Sequence, residues 1–314
     1  MNLQNPKKFK MLVDQAHEVA LHVLRPVSRK YDKAEHAYPK ELDMLASLVD
    51  GMNEGGEGMN AGAAGAGNRS ESDNEGNRNG TNMSTALSII EMCYGDTGLL
   101  LSMPRQGLGN SAIAAVANDE QLERFKGTWA AMAITESGCG SDSAAIRTTA
   151  IKDGDDYILN GEKIFVTSGE RADSVVVWAT LDKKLGRAAI KSFVVPKGTE
   201  GMKVERLEHK LGIKASDTAV ISFIDCRVPA ANLLGNAEVD VAKGFAGVME
   251  TFDNTRPLVA AMAIGCAKAS LERIKEIFKD QLDADYKMPY LQTSNLAAQI
   301  YRMEAEWEAA RLLT

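Results

Sequence analysis

Two short stretches in the middle of the chain hold the residues whose types and spacing could do chemistry. Ala131 to Asp142 reads AMAITESGCGSD, a Thr-Glu pair followed by small residues whose backbone N–H groups can face a diphosphate. Asn160 to Gly169 reads NGEKIFVTSG, an alternating strand pattern that ends in hydroxyls. Thr135, Ser141 and Thr167 can donate or accept hydrogen bonds, Phe165 offers an aromatic face, and Gly140 lets a ligand approach the main chain. These are groups that hold a flat, phosphate-bearing cofactor. Neither stretch offers a catalytic base. Taken singly, each residue also has an ordinary reading: threonine suits any strand, and Phe165 could be plain core.

The elements that must position them follow from the pattern of the chain. Phe9, Leu12, Val13, Ala16, Val19, Ala20, Val23 and Leu24 recur at helical spacing, which predicts an amphipathic helix over 6–31. Pro39 suits the first turn of a second, shorter helix. Residues 51–83 are rich in Gly, Asn, Glu and Ala without apolar period, so a mobile linker, or alternatively a lid or partner-docking segment, is expected there. Helical pattern returns at Ser84 to Met92 and around Asp119 to Lys126. From about Ala130 the period switches to short β-branched runs: 157–159, 162–167, 174–180, 190–196 and 219–225. Asn160-Gly161 has the composition of a type I′ hairpin turn. Strands at this spacing, with no helices between them, suggest an antiparallel barrel or sandwich.

After Val239 the helical period resumes, first in one very long helix with Pro257 as a possible kink. The last stretch, from Thr293, is a helix that stops in full pattern without a cap, so the chain is expected to be the front part of a longer protein. The organisation expected is α+β. A helical domain spans 1–129, a β domain 130–238, and an incomplete helical bundle 239–314.

Composition narrows the function classes. The chain has 314 residues, 45% hydrophobic and 25% charged, with a net charge of −7. That is ordinary for a globular protein and argues against nucleic acid or an anionic membrane surface as partner. Cys93, Cys139, Cys226 and Cys266 are far apart, as are His17, His22, His36 and His209. No metal site or disulfide framework is expected from their spacing, and a reducing compartment is the better reading. Cys139 sits in the first chemical stretch as a small filler, or alternatively as a reactive thiol. No secretory segment and no apolar run of about 18 residues is read, so no membrane span is expected and the cytoplasm is the expected location.

Together these features resemble the acyl-CoA dehydrogenase family. AMAITESGCGSD matches its aromatic-x-x-Thr-Glu-x-x-x-Gly-Ser-Asp signature apart from the aromatic, where Met132 stands. NGEKIFVTSG matches its Asn-Gly-x-Lys signature, and KLGIKASDTAVISFIDCRVPAANLLG (210–235) matches its third. The resemblance runs from about Met1 to Arg302. It implies FAD as cofactor, held by Met132, Ile134, Thr135, Gly140, Ser141, Phe165, Val166 and Thr167. It implies an acyl-CoA thioester as substrate, with Ser141, Phe252, Asp253 and Arg256 bordering its channel. The activity implied is α,β-dehydrogenation to the 2-enoyl-CoA. An electron-transfer flavoprotein or similar acceptor, and a homo- or hetero-oligomer such as a dimer or tetramer, are the implied partners.

The same resemblance shows two departures. Some members carry the catalytic glutamate just before the Arg of TFDNTRP, where this chain has Thr255; most carry it further on, beyond Thr314. Glu250 lies about 140° round the helix from position 255 and should face elsewhere. The catalytic base is therefore unknown from these residues. The family's Arg-x-x-Phe-Gly motif, which reaches the diphosphate across a subunit interface, is replaced by FKDQLDADYKMPYLQTSN (278–295). A non-catalytic partner subunit and an acyl-CoA oxidase are the alternatives left open.

Overall fold

The computed structural model describes residues 6–54, 81–239, 246–285 and 294–314. The first helix forms along the expected stripe, as α1 (Lys10–Val19), a π-helical turn (Ala20–Leu24) and α2 (Arg25–Lys33). The wide turn precedes Pro26, which has no N–H to give the helical ladder. Phe9, Ala16, Ala20 and Leu24 are buried along the stripe.

α3 (Glu41–Glu54) and α4 (Thr81–Gly95) follow. Both run into the stretch expected to be a linker, which corrects the edges of that reading: 51–54 and 81–83 are helical. Buried Leu42, Leu45, Ala46 and Val49 explain why α3 forms, since an anchored amphipathic face carries a few polar residues beyond it. The remainder of that reading, 55–80, lies outside the described residues. Three shorter helices, α5 (Thr97–Leu101), α6 (Leu108–Val116) and α7 (Asp119–Arg124), lead to the sheet.

Among the described residues, seven strands make one sheet: β1 (Ala130–Ala133), β2 (Thr149–Asp153), β3 (Asp156–Thr167), β4 (Ser174–Thr180), β5 (Ile190–Pro196), β6 (Met202–Leu207) and β7 (Thr218–Pro229). The order is β1-β4-β2-β3-β7-β6, with β5 on β4. Most pairs are antiparallel, as expected. β1 runs parallel to β4, however, and β2 meets β4 in parallel at Thr149 and Thr180, so the sheet is mixed. β4 is buried along its whole length, because one face belongs to the core of the sheet and the other to a second core under α6.

The Asn160-Gly161 hairpin is not there. β3 passes straight through it, and the turn lies six residues earlier, at Gly154-Asp155 between paired Asp153 and Asp156. Asn160 instead fastens a bulge against β7. Its amide oxygen accepts from Asp225 N at 2.8 Å and its amide nitrogen donates to Asp225 Oδ1 at 3.1 Å. Gly161 is needed because Thr148 lies so close that a Cβ there would stand 2.4 Å from its hydroxyl. A dipeptide suited to a turn also suits a bulge, and long-range pairing decided between them.

α8 (Ala246–Ile277) continues through Pro257, followed by α9 (Lys279–Asp285) and α10 (Asn295–Leu313). Leu258, Ala261 and Ile264 of α8 share one core with Leu24, Ile89, Met92 and Leu99, so the helices before and after the sheet are packed together. Among the described residues, no helix is long and apolar enough to cross a membrane.

Candidate active site

Three separate pieces of chain, with Leu108 of α6, meet around one cavity of about 650 Å³. The first is the loop after β1. Glu136 and Cys139 bond to each other through both backbone groups, at 3.0 and 3.1 Å, which turns the chain tightly at Ser137-Gly138. Gly140, Ser141 and Asp142 then run along the cavity wall into a short 3-10 turn, Ser143–Ala145.

The loop is held from beneath by Glu136. Its carboxylate accepts from Arg147 N at 2.7 Å, from Thr148 N at 2.9 Å, from Thr148 Oγ1 at 2.6 Å and from Lys163 Nζ at 2.7 Å. Lys163 Nζ also donates to the Ile134 carbonyl at 3.1 Å, and Ile164 N donates to the Thr135 carbonyl at 2.9 Å. Burial pushes the Glu136 carboxyl up, but the Lys163 charge and the bonds from Lys163 and Thr148 outweigh it and hold it below the usual carboxylate range. Burial lowers the Lys163 ammonium from its ordinary value. Sequence spacing does not show the pair, because the two residues are 27 positions apart. One signal is there, a lysine at an inward position of a β-branched strand, which no water can reach once the sheet forms.

The second piece is the end of β3. Between Lys163 and Val166 the register with β7 slips, and Phe165 takes a positive φ of 57°. This leaves Phe165 61% exposed at the cavity, with Thr167 beside it. Val166, by contrast, is buried in the core of the sheet and does not line the cavity.

The third piece is α8, where Met249, Phe252 and Arg256 present one face at helical spacing. Arg256 Nη1 pairs with Asp253 Oδ1 at 2.9 Å, and its guanidinium lies 5.6 Å from the Phe252 ring centre. Asp253 is exposed beside the cavity without lining it. Thr255 is buried and turned back into its own helix, donating to the Thr251 carbonyl at 3.0 Å. The side chain of Glu250 lies outside the described residues, as does 286–293 of the segment in place of the Arg-x-x-Phe-Gly motif.

Of the residues expected at the site, the cavity thus gathers Met132, Ile134, Thr135, Gly140, Ser141, Phe165, Thr167, Phe252 and Arg256. Cys139 is buried, and burial first, then the Glu136 charge, raises its thiol above the ordinary value. It fills space in the loop and is no activated nucleophile.

The wall has the chemistry of a flat, amphipathic, phosphate-bearing ligand. Leu108, Met132, Ile134 and Ile164 give apolar surface, and Thr135 and Thr167 bring half-buried hydroxyls. Phe165 offers an exposed ring, and a Cβ added at Gly140 would meet nothing within 4 Å, so its main chain is open to approach. The residues present fit such a group.

Comparison with known proteins gives the same direction. The family profile described as acyl-CoA dehydrogenase, middle domain, matches residues 131–226, and that described as acyl-CoA dehydrogenase, C-terminal domain, matches 242–314. The chain is 30% identical to cyclohex-1-ene-1-carbonyl-CoA dehydrogenase of Syntrophus aciditrophicus, across 97% of this chain and 70% of that protein. It is also 30% identical to the mitochondrial short-chain specific acyl-CoA dehydrogenase of Rattus norvegicus, across 100% of this chain and 72% of that one. Among solved structures, butyryl-CoA dehydrogenase from Megasphaera elsdenii superposes with a TM-score of 0.76 at 28% identity, covering 100% of this chain and 79% of its own.

Proposed function

The chain belongs to the acyl-CoA dehydrogenase family, and on that premise we propose that it binds FAD and dehydrogenates an acyl-CoA thioester to the 2-enoyl-CoA. The observation that carries this reading is the convergence of Thr135, Phe165, Thr167 and Gly140-Ser141 with Phe252 and Arg256 on one cavity.

FAD, when bound, supplies the two-electron acceptor. The chain's own residues do the rest by binding and orientation. Thr135 and Thr167 offer hydroxyls to a polar ring edge, and the Thr135 main chain is fixed by Ile164 N. Phe165 covers a ring face, and the open backbone at Gly140-Ser141 suits a diphosphate or a thioester carbonyl. The apolar wall keeps water from the reacting carbons. Arg256, at the exposed end of the α8 face, suits the phosphates of CoA.

The α-proton must be taken by a carboxylate in a dry pocket. Thr255 cannot serve, and among the described lining residues the carboxylate is Asp142, which is exposed. We assign the base to none of the described residues. As protein partners we propose an electron-transfer flavoprotein or similar acceptor, and an oligomer of this chain or with a relative.

The test is the visible spectrum of the purified protein before and after a series of acyl-CoA thioesters. Bound flavin that a thioester bleaches supports the enzyme. Absence of flavin, even after added FAD, rejects the cofactor reading. Flavin that no thioester bleaches assigns the chain instead to a partner subunit, for which the lack of a buried carboxylate among the described lining residues already speaks.

A further inference from the structure

We propose that Glu35, His36 and His209 form a binding site for a zinc-class divalent cation that clasps the helical layer to the sheet. Glu35 and His36 lie just after α2, in a turn closed by Ala37 N on the Ala34 carbonyl at 2.9 Å. His209 lies just after β6. One donor atom from each of the three side chains falls within 4.8 Å of the other two. The spacing of histidines in the sequence could not show this, because His209 and Glu35 are 174 positions apart.

Two further observations point to a ligand. Both ring nitrogens of His36 are shielded from water and have no hydrogen-bond partner among the described residues. An imidazole carries one donor and one acceptor when neutral, so both sides of this ring lack the partner that burial demands. The backbone of His36 also sits at φ 69°, a conformation that L side chains seldom adopt. It turns the ring toward His209, with ring centres 5.3 Å apart.

The remaining donors are half-assembled. Glu35 Oε2 is 2.9 Å from His209 Nδ1, and Glu35 Oε1 accepts from Lys210 N at 2.9 Å, which fixes the carboxylate. His209 is 84% exposed, which leaves room for its ring to rotate. Tetrahedral zinc with bonds of about 2.1 Å needs donors about 3.4 Å apart, so closure takes a rotation of His209 and a small shift of His36. Two imidazoles and a carboxylate suit zinc over calcium or magnesium, and leave a fourth position for water. Two nearby cations are engaged: Lys210 Nζ bonds the Ser216 carbonyl and Thr218 Oγ1, and Arg171 pairs with Asp217; Lys214, Arg105 and Lys197 add positive charge that the metal must overcome.

The experiment is a titration of the untagged, chelator-treated protein with Zn²⁺ in competition with a chromophoric chelator, followed by metal analysis after gel filtration. One zinc per chain is expected. His209→Ala, at an exposed position outside the packed cores, should weaken binding at least tenfold, and His36→Ala should do the same. Zn²⁺ should raise the Tm of the unmodified protein and not that of His209→Ala. No retained zinc, or zinc retained with unchanged affinity by His209→Ala, overturns the proposal.

Discussion

Lys163 Nζ lies 2.7 Å from Glu136 Oε1, and the lysine side chain is wholly buried while the glutamate is 10% exposed. This pair joins the two stretches that carry the site's chemistry. One partner stands on β3, two residues before Phe165, and the other directly after Thr135. The pair lines no part of the cavity, so its role is to position. Taking two charges out of water is costly, and such pairs contribute little net stability when intact. Removing one partner is a different matter, because the other is left buried and uncompensated.

Glu136→Gln is therefore expected to destabilise the fold by about 3–5 kcal/mol, the range for an orphaned buried charge. Lys163→Met should cost less, since Glu136 keeps its bonds from Arg147 N and Thr148 and has some access to water. The double variant should lose less than the sum of the two. Urea unfolding of the three variants measures this, and full additivity would show that the two groups do not interact.

The same carboxylate gives a pH dependence with a definite sign. Its folded value is held below the ordinary carboxylate range, so its contribution is present above that range and is lost as pH falls through the lower folded value. A protonated Glu136 resembles glutamine. The Tm of the unmodified protein should thus converge on that of Glu136→Gln as pH falls below about 4.5, and stay apart from it above. A gap that is constant across that range would remove Glu136 as the titrating group.

Much of this architecture was legible in the residues. The stripe of Phe9, Ala16, Ala20 and Leu24, the β-branched run 174–180 and the apolar period around Leu258 to Ile264 each report burial, and burial decides these elements. Misreadings fell where long-range contacts select between local options. Asn160-Gly161 suits a turn or a bulge, and only Asp225 and Thr148 settle which. The parallel β1–β4 pair joins strands more than forty residues apart, a pairing no local pattern reports. For the site, the cavity brings together its expected residues except two: alternation along β3 turns Val166 inward, and Asp253 stays exposed beside the cavity. The role of Glu136 is not legible locally because its partners lie 11 to 27 positions away.

The α4–α8 contact offers a test of packing. A Cβ at Gly265 of α8 would stand 2.2 Å from the Ile90 carbonyl of α4 and 2.8 Å from Cys93 Cβ. In an isolated helix Gly→Ala gains about 1 kcal/mol. Here overpacking against rigid backbone, about 1–3 kcal/mol, outweighs that gain. Gly265→Ala should lower the Tm, as differential scanning calorimetry will read, and a raised Tm would place the helices further apart than described.

Phe165 separates binding from folding. Its ring is 61% exposed and its backbone holds φ 57°, so the side chain contributes little to the core and sits in a conformation that glycine adopts freely. Relief of that conformation and the extra flexibility of glycine offset each other at about 1 kcal/mol each. Phe165→Gly should then leave the unfolding midpoint of the cofactor-free chain nearly unchanged. Its FAD affinity should fall at least tenfold, about 1.4 kcal/mol, because an aromatic face is lost from the wall. Phe165→Trp should restore binding. Titration of FAD fluorescence against each variant reads the effect. Equal FAD affinity in Phe165→Gly and the unmodified chain would mean that the ring covers no part of the cofactor, whatever the family resemblance implies.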